Sequence, residues 1–285
     1  MSNHTLSQPA LQDVNIVASD LDGTLLLPDH TLGAFTKQTL KKLHEKGMTF
    51  IFATGRHHVD VESFRASAGI PAYMITSNGA RVHSPDNELL YSKNLPEDVI
   101  QPIVDIIKQD PDHRIHIYRS NDWLTDKEDL KLSKHHQESG FNYSLFDINN
   151  APTEDIAKLF FTHTDHDHLA AYEQQLKEQF GDRISIAFST PWCLEIMAPN
   201  VSKGDALLAV AKKLGKKLEN CISFGDGMND VEMLATAYKG LIMGTAHDKV
   251  MKALPNNEII GNSIDEAVAH YLEDHLLSSP IHTSS

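Results

Sequence analysis

Val14-Asn15-Ile16-Val17-Ala18-Ser19-Asp20-Leu21-Asp22-Gly23-Thr24 is the stretch whose reading decides the fold. A short apolar run followed at once by two carboxylates and a Gly-Thr turn predicts a buried parallel strand that delivers acids to its carboxyl end, where open α/β sheets place their ligands. Side chains alternate along an extended strand, so Asp20 and Asp22 share a face while Leu21 points away, with Cα atoms about 6.5–7 Å apart if the extension persists. Two carboxylates this close ionise together only around a cation, or else one keeps its proton. An Asx turn at a strand end would explain Asp-x-Asp-Gly equally well in isolation. The decision therefore falls to the rest of the chain.

The same strand, site, helix pattern recurs. Thr49-Phe50-Ile51-Phe52-Ala53 is a second apolar run, ending in Thr54-Gly55-Arg56 before a helix that reaches about Ala68. Thr54 can offer its hydroxyl to a phosphate oxygen, and Gly55 permits close approach. Tyr73-Met74-Ile75 leads to Thr76-Ser77-Asn78-Gly79, and a hairpin follows over 80–83 and 89–91. Val201-Ser202-Lys203-Gly204-Asp205 opens a helix with a lysine in its first turn, where the helix dipole disfavours a cation unless an anion is near. Asn220-Cys221-Ile222-Ser223-Phe224 feeds the acidic turn Gly225-Asp226-Gly227-Met228-Asn229-Asp230, which crowds oxygen ligands of the kind a small hard divalent cation takes. A last strand is expected over 239–243 and a closing helix over 264–276.

Asp20-Leu21-Asp22-Gly23-Thr24, Ala53-Thr54-Gly55-Arg56, Lys203 and Gly225-Asp226-Gly227-Met228-Asn229-Asp230 resemble, in order, the four motifs of the haloacid dehalogenase-like phosphohydrolases. Leu26-Leu27-Pro28-Asp29-His30, Arg81-Val82-His83-Ser84, Cys193-Leu194-Glu195-Ile196 and Ile242-Met243-Gly244 narrow the resemblance to the Cof-like branch. It implies an α/β fold: a doubly wound, mostly parallel sheet with an inserted α/β cap domain. The expected boundaries are core over 1–91, cap over 92–197 and core again over 198–285. Asp20 is the implied nucleophile, Asp22 the acid and base, and Thr54 and Lys203 the charge clamp. Gly55, Arg56 and Asn78 border the phosphate or substrate. Mg2+ is the implied cofactor, held by Asp20, Asp226 and the backbone carbonyl of Asp22, with Asn229 and Asp230 behind it. The implied reaction is hydrolysis through an aspartyl-phosphate. The diphosphate ester of hydroxymethylpyrimidine is the first expected substrate, and a sugar phosphate or pyridoxal phosphate the alternative. A phosphotransferase, a mutase or a metabolite-binding module ranks below these.

Composition narrows the partners. The chain has 285 residues, and 25 Lys and Arg against 39 Asp and Glu leave −14 without a basic block, which argues against nucleic acid or an anionic membrane. The expected partner is a small phosphorylated metabolite, for a monomer or weak homo-oligomer. Cys193 and Cys221 sit in apolar surroundings and are expected as buried free thiols. Without an apolar leader or an eighteen-residue apolar run, a soluble cytoplasmic protein is expected.

Within 92–197 the pattern predicts helices over 96–108, 129–139 and 169–179, with strands over 114–118, 157–162, 184–188 and 194–197. His163-Thr164-Asp165-His166-Asp167-His168 is read as a solvated turn with Asp165 or Asp167 as helix cap, because the ligands are consecutive instead of convergent. His57-His58 and His135-His136 are read in the same way.

Overall fold

A computed structural model describes residues 11–128 and 141–278. Its strands are β1 (Ile16–Ser19), β2 (Thr49–Ala53), β3 (Tyr73–Thr76), β4 (Arg81–His83), β5 (Leu89–Ser92), β6 (Arg114–Tyr118), β7 (Trp123–Thr125), β8 (Tyr143–Leu145), β9 (Lys158–Thr162), β10 (Ser185–Thr190), β11 (Cys193–Met197), β12 (Cys221–Gly225), β13 (Lys239–Ile242) and β14 (Glu258–Ile259). The helices are α1 (Ala34–Glu45), α2 (His58–Ala68), α3 (Glu97–Ile107), α4 (His166–Phe180), α5 (Lys203–Lys213), α6 (Val231–Thr236), α7 (Asp248–Ala253) and α8 (Ala267–Leu272).

Eight strands form one sheet in the order β14-β13-β12-β1-β2-β3-β4-β5. It is parallel from β14 to β3 and antiparallel through the hairpin. Alternation along β1 sorts its side chains to two cores. Val17, with Phe50, Phe52 and Phe224, packs under α1, α2 and α8 through Leu40, Leu43, Val61 and Leu272. Ile16 and Ala18, with Ile51 and Ile75, pack under α5 and α6 through Leu207, Val210 and Met233. A sheet covered on both faces is why these strands are continuous apolar runs. Chain direction across the sheet reverses at β1, which has β2 on one side and β12 on the other. That reversal is the switch point where such sheets open a ligand crevice.

Register then sets the site. Ser19 lies opposite Phe52 on one neighbour and Phe224 on the other. Asp20, Thr54 and Asp226 consequently leave the sheet together along one edge.

The second sheet has the order β10-β11-β9-β6-β7-β8 and draws all its strands from residues 114–197. One face packs Ile115, Ile117, Leu159, Phe161, Leu194 and Ile196 against α3 and α4. The opposite face carries Lys158 and Glu195, and it meets the carboxyl edge of the first sheet, where Lys158 Nζ donates to the Gly55 carbonyl at 2.7 Å.

Several elements depart from the sequence expectation. The strands β7 and β8 are three residues long and β14 two, too short for a periodic signal. The closing helix starts at Ala267 because Glu266 sits at φ 49, a left-handed conformation that interrupts helical growth. The helix expected over 129–139 and the pair His135-His136 lie outside the described residues. Both cysteines are buried and free. Among the described residues no helix is long and apolar enough to cross a membrane.

Gly79 makes the closest approach between site loops. At φ +103 it turns the loop after β3, and a Cβ there would lie 2.1 Å from the carbonyl oxygen of Ser202, the residue that caps α5. Both the backbone conformation and the space demand glycine. Gly79→Ala is expected to cost about 1–3 kcal/mol of stability through overpacking and strain, measured by urea unfolding. A wild-type midpoint would contradict this contact.

Candidate active site

Asp20 does not continue the strand into Asp22. Residues Leu21–Leu25 form one wide turn, closed by Leu26 N–H on the Leu21 carbonyl at 2.9 Å, with Gly23 at φ +78. This turn separates the two acids that extended geometry would have placed side by side. The Asp20 carboxylate turns inward, and Oδ1 accepts from Lys203 Nζ at 2.7 Å. The Asp22 carboxylate turns toward Arg56 and receives its fork: Nε to Oδ2 at 2.7 Å and Nη2 to Oδ1 at 2.6 Å.

Lys203 is completely buried and also donates to Asp230 Oδ1 at 2.6 Å. Ser202 caps its helix by accepting from Asp205 N–H at 3.0 Å, which fixes where the lysine enters. Burial pulls the Lys203 pKa down, but the charges of Asp20 and Asp230 hold it above the ordinary value, so it is an ammonium. The other oxygen of Asp230, Oδ2, accepts from the backbone N–H groups of Asp226 (3.1 Å) and Gly227 (2.9 Å). Asp230 is therefore fully engaged as a brace for both the lysine and the acidic turn.

Asp226 completes an acidic cluster with Asp20 and Asp230. Thr24 Oγ1 donates to its Oδ1 at 2.9 Å, and a Cβ on Gly23 would lie 2.3 Å from its Oδ2. Oxygens of Asp20, Asp226 and Asp230 all lie within 4.8 Å of one another. Three carboxylates share a single ammonium. Burial, then the charge of Asp230, raises Asp20 well above the carboxylate range, and the same two causes raise Asp226 to about 6. An excess of buried negative charge with hard oxygen donors fits a small divalent cation. Asp22 contributes no side-chain oxygen to this group; burial raises its pKa, but Arg56 more than offsets that and holds it below the usual carboxylate range.

Thr54 is buried, with its N–H spent on the Ile75 carbonyl at 2.8 Å. Its hydroxyl oxygen accepts from Arg56 N–H at 3.2 Å, which leaves the hydroxyl proton to donate. Arg56 is not the surface arginine its residue type suggests, since it bridges Asp22 and Asp60. Asn78 is buried at φ 58. Its Nδ2 donates to Glu195, and its Oδ1 accepts from Asn229 Nδ2 at 3.1 Å. Gly55 stands beside it, where a Cβ would lie 2.9 Å from Asn78 Oδ1.

The site includes Lys158, which sequence reasoning passed over, and Glu195, which it quoted only within a strand motif. Lys158 and Glu195 are both buried and paired at 2.7 Å, and they connect β9 and β11 to Gly55 and Asn78. Their signal was present in the sequence: each is a lone charge inside an otherwise apolar strand, a rare placement unless it is paired. His57 and His58 are also not a solvated turn. His57 stacks on Phe141, and its Nε2 is 2.8 Å from the Arg119 carbonyl. Burial pushes His57 down to about 3 and His58 to about 4, so both rings are neutral. The sequence shows the pair but not the second sheet that covers it.

A cation-ready acidic edge at the switch point, with a buried acid held on a lysine, fits an α/β enzyme that processes phosphate. A family model described as haloacid dehalogenase-like hydrolase matches residues 17–272, and the chain belongs to that family, as a phosphatase of the Cof type. The chain is 40% identical over 263 residues to the HMP-PP phosphatase of Cronobacter sakazakii, covering 92% of this chain and 96% of that protein. Among solved structures it resembles a haloacid dehalogenase-like hydrolase from B. subtilis, with TM-score 0.82 at 22% identity over 92% of this chain and all of that one. It also resembles a subclass IIB sugar phosphatase, with TM-score 0.79 at 20% identity over 92% of this chain and 98% of that one. These last two likenesses concern the fold.

The acid cluster generates a pH prediction. Asp226 has its folded pKa raised to about 6. Its contribution therefore favours the fold below the unfolded carboxylate pKa of about 4 and is withdrawn as pH rises through about 6. A divalent cation replaces the proton at higher pH. Added Mg2+ is expected to raise the thermal midpoint more at pH 7.5 than at pH 5, and Asp226→Asn to remove the difference. Equal stabilisation at both pH values would contradict the shared-cation geometry.

Proposed function

We propose that the chain is a Mg2+-dependent phosphohydrolase acting through an aspartyl-phosphate on Asp20, with 4-amino-2-methyl-5-hydroxymethylpyrimidine pyrophosphate as substrate and the monophosphate as product. The observation that carries the reaction is the buried contact of Lys203 with Asp20 Oδ1 at 2.7 Å. It fixes the carboxylate and leaves Oδ2 as the oxygen to attack. In the first step an Asp20 oxygen bonds to the terminal phosphorus while the bridging phosphorus–oxygen bond breaks and the monophosphate departs. In the second, water attacks the same phosphorus, Asp22 takes its proton, and the bond to Asp20 breaks. Lys203 and the Thr54 hydroxyl hold the phosphoryl oxygens, since phosphoryl transfer is chiefly positioning and electrostatics. Asp20, Asp226 and the Asp22 carbonyl would hold Mg2+, which supplies charge neutralisation when bound. Residues 92–197 act as a cap that sets specificity and excludes water, a reading supported by the Lys158 and Asn78 contacts across the site.

Two observations support the diphosphate ester. The relative that is named an HMP-PP phosphatase aligns with nearly the whole chain. Arg56 also keeps Asp22 a carboxylate, which suits a base better than an acid. A departing phosphate monoester has a second pKa of about 6 and needs no added proton. A sugar alkoxide does need one, and a general acid there contributes on the order of 10²–10⁴ in rate.

The two substrates therefore respond differently to Asp22→Asn. With the pyrimidine diphosphate ester this variant is expected to release one burst of monophosphate per enzyme and then nearly stop. With a sugar phosphate it should give neither burst nor turnover. Rapid-quench measurement of leaving group per enzyme checks both, and equal bursts would show that Asp22 does not protonate the leaving group.

A further inference from the structure

The histidine-rich segment after β9 is brought into contact with the turn between α3 and β6, which the sequence does not reveal. Asp165 does cap α4, accepting at 2.9 Å from Asp167 N–H, but His163 and His168 converge with Asp110. Their ligand atoms lie within 4.8 Å of one another. The Asp110 carboxylate is aimed: Oδ1 accepts from Asp112 N–H at 2.8 Å, which leaves Oδ2 facing the imidazoles. His168 Nε2 is paired with that Oδ2 at 2.7 Å.

His113 supplies the independent observation. It is 1% exposed, and its Nδ1 is 3.0 Å from the Ile107 carbonyl. A carbonyl only accepts, so Nδ1 carries the proton and Nε2 presents a lone pair. That Nε2 is buried without a hydrogen-bond partner and lies 4.0 Å from Asp110 Oδ2, too far for a hydrogen bond. A buried lone pair left facing a carboxylate is unfavourable unless a cation lies between them. An imidazole whose other nitrogen donates to a backbone carbonyl is the usual arrangement of a metal-ligating histidine.

We propose that Asp110, His163 and His168, with buried His113 as the fourth donor, bind a divalent transition-metal ion of the zinc class. Three imidazoles and one carboxylate are borderline donors that select such an ion over Mg2+, with His163 giving up the Asp165 N–H that its Nδ1 accepts at 3.0 Å to present that lone pair. Ligands about 2.0–2.1 Å from a tetrahedral ion are about 3.3 Å apart, so binding opens the Asp110–His168 pair from 2.7 Å and draws the other donors, His113 at 4.0 Å from Asp110 among them, inward. The site lies off the far end of β9 from Lys158, about 16 Å along the strand. It is separate from the catalytic edge. Its effect is to clip the α3–β6 turn to the β9–α4 turn and so brace the second sheet.

The test is Co2+ titration of the full chain in excess Mg2+, which occupies the oxygen-only catalytic cluster. The expected result is one equivalent bound with the intense visible absorption of nitrogen-ligated tetrahedral cobalt, displaced by Zn2+. His163→Ala/His168→Ala should weaken binding at least on the order of 100-fold and retain Mg2+-dependent phosphatase activity. His113→Phe, which keeps the ring packing on Phe161 and Tyr172, should weaken it by about tenfold or more. Unchanged cobalt affinity in both variants, or only the weak spectrum of six-coordinate, oxygen-ligated cobalt in the wild type, would overturn the proposal.

Discussion

A lysine ammonium with no exposure to water is tolerable only where carboxylates surround it, and Lys203 between Asp20 and Asp230 is the constraint on which the rest of this structure depends. The three residues come from the loop just after β1, the start of α5 and the turn after β12, so the pairing locks together segments far apart in the chain. It also explains why Asp230 has both oxygens occupied. Removing Lys203 leaves the buried carboxylates without compensation, typically worth about 3–5 kcal/mol. The same contacts keep the Asp20 carboxylate, the proposed nucleophile, in one orientation. Stability and chemistry therefore draw on a single interaction.

The second sheet repeats this logic at lower stakes. Lys158 and Glu195 form a buried pair whose members each reach the first sheet, at Gly55 and Asn78. Lys158 Nζ lies 5.0 Å from the Tyr118 ring centre and 4.8 Å from that of Phe160, so its charge is also held by aromatic faces. His57, immediately after the Thr54-Gly55-Arg56 turn, meets the Arg119 carbonyl of the covering sheet. A shift of that sheet would break polar contacts to two catalytic-edge loops at once.

Much of this was legible in the sequence, for physical reasons. β1, β2 and β12 are covered on both faces, so each appears as an uninterrupted apolar run, and the residues that leave them are the site residues Asp20, Thr54 and Asp226. Lys203 stood out because a cation in the first turn of a helix needs an anion. What was hidden is long-range pairing. The turn that separates Asp20 from Asp22 depends on Gly23 sitting against Asp226, two hundred residues away, and the fork of Arg56 on Asp22 crosses two strands. His163 and His168 look consecutive until β6 and β9 align side by side and bring Asp110 to them. Three-residue strands such as β7 carry too little periodicity to be seen.

The central claim is that Asp20 takes the phosphoryl group. Acid quench within the first turnover of the pyrimidine diphosphate ester, labelled at its terminal phosphorus, would trap that species, and peptide mapping would locate it. The account predicts acid-stable, hydroxylamine-labile label on the peptide containing Asp20, absent from Asp20→Asn. Label on another residue, or none while monophosphate is released at the full rate, would contradict it.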